Sequence, residues 1–181
     1  MKTSNILTVV VCIALPLVVG SISGIATSGN ITTWYATLNK PVFNPPNYLF
    51  GPVWTALYLL MGISLYMIWR SPSGDARNYA LAIFCVQLVL NFAWSFIFFH
   101  YKQTGWAFIE IVLVWISILA MIIIFQRINK TAAFLQIPYF LWVSFASVLN
   151  GSIWWLNQLN LNHDYLYCTA SRYQCKRAQN D

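Results

Sequence analysis

The sequence predicts an all-α integral membrane protein, a bundle of five transmembrane helices, on three observations. The chain is 59% hydrophobic and only 8% charged, whereas soluble domains carry about 25% charged residues. So little charge cannot cover a surface that faces water, and lipid is the solvent that suits it. Stretches free of Asp, Glu, Lys and Arg recur at 3–39, 41–69, 78–101, 103–109, 111–126 and 131–163, and a spanning helix needs about 20 mainly apolar residues. The apolar runs are continuous and do not alternate, which argues against a membrane β-barrel.

The first span is expected at 5–26. Lys2 followed by the run Ile6 to Val19 also has the shape of a signal peptide, but no clear small-x-small cleavage site precedes Gly24, so the segment reads as a membrane helix. Gly20 and Gly24 form a small-xxx-small pair suited to close helix approach. The connection 27–46 contains Pro41, Pro45 and Pro46. Prolines restrict the backbone, so this loop reads either as a fixed lid over one end of the bundle or as an extended connector.

The remaining spans are expected at 47–69, 79–100, 105–126 and 133–156. Together they make residues 1–157 one membrane domain, followed by a polar tail over 158–181 whose composition suits a disordered segment. Five spans put the termini on opposite faces. Lys2, Arg70, Arg77, Arg127 and Lys130 share one face, against Lys40 and Lys102 on the other, which places the N-terminal face in the cytoplasm. Adding Arg172, Lys176 and Arg177 of the tail evens the two sides. The net charge of +6 forms no basic stripe and gives no sign of nucleic-acid binding.

Chemistry is sparse. His100 and His163 are the only histidines, so Cys168 and Cys175 of the tail have no metal-ligand set beside them and no metal site is expected. Those two thiols read as reactive or paired, while Cys12 and Cys85 read as small apolar residues within spans. His100 lies at a span end, where an interfacial role suits it better than haem ligation. No nucleophile with a histidine base, paired carboxylates or phosphate-cradling glycine loop is present.

Polar residues inside spans need a reason, because lipid offers them no partner. Gln87, Asn91, Trp94, Ser95 and Phe98 lie on one helical face. That face suits either a ligand pocket with a few polar anchors or hydrogen bonds between spans. Glu110, the only acid within a span, shares a face with Trp106, Leu113 and Ser117. It either serves a proton or cation path or reaches the interface and pairs with Lys102. Pro138, Trp142, Ala146, Leu149 and Ile153 form a face of the fifth span with Asn150 beside it, and Ala146 leaves room one turn past Trp142. Of nine tryptophans, Trp69, Trp154 and Trp155 fall near span ends and fit an interfacial belt, whereas Trp94 and Trp142 lie farther in. A planar aromatic ligand would stack on such rings.

These residues carry a family resemblance. The run Trp34-Tyr35-Ala36-Thr37-Leu38-Asn39-Lys40-Pro41, then Pro45-Pro46 and Gly51-Pro52-Val53-Trp54-Thr55-Ala56-Leu57-Tyr58, is followed by Gln87 to Trp94, by Gly105-Trp106-Ala107, and by Pro138-Tyr139-Phe140-Leu141-Trp142 with Phe145-Ala146 and Leu149-Asn150. In this order, over about 34–157, the blocks resemble the translocator-protein family, the tryptophan-rich sensory proteins.

The resemblance implies a five-helix bundle, often a homodimer, with a pocket closed by the first loop. It implies binding of protoporphyrin IX, haem and similar flat apolar ligands, of sterols in some members, and of benzodiazepine-type drugs. The porphyrin is a ligand, and no cofactor is required. By position it implies a ligand site made of Gly24, Thr27, Phe50, Gly51, Val53, Trp54, Asn91, Trp94, Trp106, Leu113, Trp142, Ala146, Leu149 and Asn150. Some bacterial members support light-dependent breakdown of protoporphyrin, and the tryptophans held responsible match Trp54 and Trp142. The membrane would be a bacterial cytoplasmic membrane or a mitochondrial outer membrane.

Two departures stand out. Gly151 and Ser152 occupy the place of tyrosines found in sterol-binding members, which argues against tight cholesterol binding, although Leu161, Tyr167 and Arg172 of the tail satisfy a loose cholesterol pattern. Ala82 and Val86 replace a glycine pair used for dimer contacts, which moves the expected contact to Gly20 and Gly24. The expected function is a membrane receptor or sensor for porphyrins. A porphyrin or sterol transporter and a non-enzymatic scaffold are the alternatives.

Overall fold

The structure, a computed structural model, describes the backbone of residues 3–170 and the side chains of residues 5–158. Helix α1 runs Thr3–Thr32, the short α2 Trp34–Thr37, and α3 Asn47–Trp69. Helix α4, Asp75–Ser95, passes into a π-helical turn over Phe96–His100. Then come α5 Thr104–Ile128, α6 Lys130–Phe134 and α7 Ile137–Ala170. Among the described residues, five stretches are long and apolar enough to cross a membrane: Asn5–Thr32, Asn47–Trp69, Asp75–His100, Thr104–Ile128 and Lys130–Gln158.

The outside of the bundle is as informative as its core. Leu7, Val10, Val11, Leu15, Val18, Ile22 and Ile25 project outward from α1, Leu59 and Ile63 from α3, and Ile109, Val112, Ile116, Leu119 and Ile123 from α5. A water-soluble protein does not leave apolar area of that extent uncovered. Lipid covers it at no cost, and the chain is an integral membrane protein.

Because lipid gives helices no hydrophobic reason to associate, small residues and hydrogen bonds must hold them together. Gly62 of α3 shows the first device. A Cβ there would lie 2.6 Å from Ile13 Cα and 2.9 Å from the Cys12 carbonyl oxygen, so α1 and α3 meet backbone to backbone. Gly20, one step along the same seam, admits the Tyr58 ring. The second device is the set of links between helices. Ser64 Oγ donates to the Ala132 carbonyl at 2.8 Å and Trp115 Nε1 to Ser144 Oγ at 2.8 Å, tying α3 to α6 and α5 to α7. Between these links Met61, Ile68, Phe84, Ile118, Met121 and Phe125 fill the core without exposure.

Three boundaries differ from the sequence expectation. Helix α1 continues to Thr32 instead of ending at 26. Its last turns are rich in Ser and Thr, which sequence reads as loop. Here the hydroxyls bond back to the helix, Thr27 Oγ1 to the Ser23 carbonyl at 2.8 Å and Thr33 Oγ1 to that of Gly29 at 2.8 Å. The fifth span is broken: α6 begins at the Asn129 cap, whose side chain accepts from Ala132 N at 3.1 Å, and α7 restarts with Pro138 in its first turn, where proline is tolerated. Helix α7 then runs on to Ala170, so the first part of the expected tail is helical. Cys175 and Arg172 lie outside the described residues, as do the side chains of Leu161, Tyr167 and Cys168. The Gly20–Gly24 pair is split: Gly20 faces the Tyr58 ring, while Gly24 borders the cavity described below and is also exposed. Ala82 and Val86 are exposed on α4.

Candidate ligand cavity

A cavity of about 300 Å³ lies inside the bundle at the end where the α1–α3 connection crosses. That size is at the lower end of the range for small-molecule sites. Its walls come from α1, α3, the end of α4 with its π-turn, and α7. Rings bridge α3 and α7 at its back: Phe50 meets Trp142 at 6.0 Å and 74°, and Trp54 meets Tyr139 at 6.1 Å and 64°. Trp54 also stacks on Tyr58 at 5.4 Å and 29°, and Trp94 on Phe98 at 5.3 Å and 24°. The π-turn closes with Tyr101 N donating to the Phe96 carbonyl at 2.9 Å. The extra residue in this turn alters the helical phase, and both Phe98 and Phe99 reach the wall.

Of the residues expected at a ligand site, Gly24, Thr27, Phe50, Gly51, Trp54, Trp94, Trp142, Ala146, Leu149 and Asn150 line this one cavity. Four do not. Val53 packs against the core beneath it. Trp106 and Leu113 are 67% and 49% exposed on the outer face of α5, pointing to lipid. Asn91 is buried in a hydrogen-bond cluster behind the wall. There Tyr58 Oη donates to Asn91 Oδ1 at 2.7 Å, while Asn91 Nδ2 and Gln87 Nε2 donate to Tyr139 Oη at 3.0 and 3.1 Å. The polar face of α4 is thus divided. Its inner half, Gln87 and Asn91, makes hydrogen bonds between helices, and its outer half, Trp94, Ser95 and Phe98, lines the cavity. Sequence periodicity places all five on one stripe and cannot see where along it the helices separate.

Lining residues that the sequence did not single out include Ser23, Tyr35, Asn47, Tyr58 and Phe99. Tyr35 and Tyr58 stand within the motif runs, but the positions of Tyr58 and Phe99 at the wall depend on the Gly20 notch and the π-turn. Four lining residues carry a buried polar atom with no hydrogen-bond partner: Ser23 Oγ, Trp94 Nε1, Trp142 Nε1 and Asn150 Oδ1. Native interiors leave few such atoms; these four border the cavity, and the others among the described residues lie on Arg77, Gln87, Glu110 and Gln136. Asn150 is held by its other amide atom, Nδ2, which donates to the Thr104 carbonyl at 3.2 Å. Glu110 is also buried with neither carboxyl oxygen partnered, so the pairing with Lys102 that sequence suggested is not made.

The segment after α2 is a fixed cover. Asn157 of α7 clasps Asn39 from both sides, accepting from its N–H at 3.1 Å and donating to its carbonyl at 3.0 Å. Tyr35 Oη donates to Asn44 Oδ1 at 2.7 Å, with Lys40 Nζ 5.1 Å above its ring. Burial pushes the Tyr35 phenol up to about 12, so it stays protonated and remains a donor. Phe43 reaches Phe145 of α7 at 6.3 Å. The lid reading of this proline-bearing loop is the one that the geometry favours.

Residues 12–156 match the TspO/MBR family. The chain belongs to the TspO/MBR family. It is 40% identical over 157 residues to the tryptophan-rich protein TspO of Chlorobaculum tepidum, covering 84% of this chain and 98% of that one. It is 35% identical over 147 residues to the translocator protein of Bos taurus, covering 80% and 87%. It is 32% identical over 124 residues to the tryptophan-rich sensory protein of Cereibacter sphaeroides, covering 68% and 77%. The matched region of this TspO/MBR chain takes in every helix that walls the cavity, from Cys12 of α1 to Leu156 of α7.

Proposed function

We propose that this chain is a membrane receptor or sensor that binds a flat, apolar tetrapyrrole, protoporphyrin IX or haem, in the cavity beneath the lid. The observation that carries the reading is the set of unpartnered polar atoms on a mainly apolar wall rich in aromatic rings. Trp94 and Trp142 each bring an indole face and an unsatisfied N–H. Porphyrin carboxylates and ring nitrogens are the chemistry that pairs such donors, while the macrocycle offers rings a face to stack on. Trp54 and Trp142 both stand in the wall. In light and dioxygen, these two indoles would be within reach of oxidant formed at a bound porphyrin, so illumination is expected to consume both ligand and indole.

Titration of the purified protein with protoporphyrin IX in the dark tests the reading through tryptophan quenching. Saturable quenching is expected. Trp142→Phe keeps a ring but removes the N–H, and should weaken binding about five- to tenfold, the worth of one hydrogen bond of about 1–1.5 kcal/mol. Unchanged affinity in that variant would move the ligand away from Trp142. Accumulation of porphyrin inside sealed liposomes carrying the protein, beyond what binding accounts for, would favour a transporter.

A further inference from the structure

We propose that ligand enters this cavity sideways from the lipid, through a mouth in the seam between α1 and α3 at Gly24 and Gly51, and not past the lid from water. The proposal deepens the cavity reading above and rests on it.

Helices α1 and α3 run antiparallel and do not keep one spacing. At Gly62 they touch backbone to backbone, and at Gly20 the Tyr58 ring fills the notch. Farther toward the lid the seam opens. A Cβ built on Gly24 or on Gly51 meets nothing within 4 Å, although both residues line the cavity. Ser21 and Thr55, next along the two helices, are likewise cavity-lining and exposed. A residue that is both lining and exposed marks a place where the cavity reaches the outer surface. What lies outside is set by the neighbours. Ile22 is 52% exposed and Ile25 is 78% exposed on the same turns of α1, so the mouth gives onto hydrocarbon.

Small residues at a seam do not by themselves make a passage. Just inside the mouth stands Ser23, which lines the cavity at 4% exposure with its Oγ unpartnered. An unsatisfied hydroxyl at that depth is a polar contact for something that arrives. The water-facing side is shut by comparison, through the Asn39–Asn157 clasp and the Tyr35–Asn44 bond. A flat apolar ligand partitions into the bilayer, so the lipid is also where it is concentrated.

The test uses the full chain in liposomes whose lipid carries protoporphyrin IX, with tryptophan quenching followed after rapid mixing. Gly24→Leu and Gly51→Leu place a side chain in open space at the mouth. Each is expected to slow association and dissociation together, by about tenfold or more, because both directions use the same passage. Asn157→Ala loosens the lid and should leave the association rate as it is. The proposal is overturned if both leucine variants associate at the unmodified rate, or if they only speed dissociation, which is what filling the site would do. It is equally overturned if loosening the lid accelerates entry. Failure of the unmodified protein to quench saturably removes the cavity reading itself, and is told apart by appearing before any substitution is made.

Discussion

Tyr139→Phe isolates the contribution of the buried polar cluster to the bundle. The ring stays and one oxygen leaves. Tyr139 is wholly buried, and its Oη accepts from Asn91 Nδ2 and Gln87 Nε2. Losing it strands two donors. Asn91 keeps its bond from Tyr58 at 2.7 Å, but Gln87 is left with no partner at all, since its Oε1 already has none. Hydrogen bonds between membrane helices average about 0.6 kcal/mol and reach about 1.7, while a stranded buried donor costs about 1–3 kcal/mol. The variant should therefore lose about 1–3 kcal/mol. Gln87→Leu removes one stranded donor in advance, so the double variant should cost less than the sum of the two singles by about 0.5 kcal/mol or more. Denaturation in mixed detergent micelles, followed by tryptophan fluorescence, measures both quantities. A Tyr139→Phe protein within about 0.3 kcal/mol of the parent, together with strict additivity, would refute the claim that these bonds hold α4 to α7.

Gly62→Ala should cost about 1–3 kcal/mol in the same assay, because its Cβ meets the Ile13 backbone, which cannot turn aside as a side chain can. Wild-type stability in that substitution would mean that α1 and α3 are less closely seated. Trp106→Ala should leave porphyrin affinity within about twofold of the parent, since the ring is 67% exposed on the outer face of α5. A large loss would bring Trp106 back to the ligand. The lid should loosen at high pH. The Tyr35 phenol is raised from 10.0 to about 12 by burial, so its contribution is full below about pH 10, where both folded and unfolded forms are protonated. It declines from about pH 10 to 12 as the unfolded phenol ionises first. Proteolysis or hydrogen exchange of residues 38–46 should rise over that window, and in Tyr35→Phe the rise should shrink.

The number of the spans was legible because lipid imposes a simple rule: about 20 apolar residues, with charge at the ends. The second span coincides with α3, Asn47–Trp69, as expected. The misplaced end of α1 shows where that rule stops. Ser and Thr look like loop by polarity, yet inside a helix they satisfy themselves on the preceding turn, as Thr27 does on Ser23. The cavity was legible on α7, where Trp142, Ala146, Leu149 and Ile153 keep helical spacing and all reach the wall. It was only half legible on α4. Asn91 and Trp94 are neighbours on one face, but Asn91 sits where the helices close and Trp94 where they part. That difference is set by Gly20 and Gly62 on other helices, and no period within α4 encodes it.

The same absence of a hydrophobic force between helices explains why a cavity persists here. In water, an apolar void inside a bundle is expelled by the gain from collapse. In lipid, closing the void gains only packing, because the outward apolar faces are already solvated. The bundle is therefore pinned where glycines and hydrogen bonds pin it. Around the core these are Gly62 on Ile13, Ser64 on Ala132 and the Tyr58–Asn91–Tyr139 cluster. At the lid end the pins lie across the top, at Asn39–Asn157 and Tyr35–Asn44. Between these two levels α3 and α7 meet through the ring pairs Phe50–Trp142 and Trp54–Tyr139. Edge-on ring contacts are worth about 0.5–1.5 kcal/mol each, little enough for a stacking ligand to exchange them for its own. The cavity thus occupies the interval that the pins leave unconstrained, and its aromatic wall is the part of the bundle most readily rearranged around a flat guest.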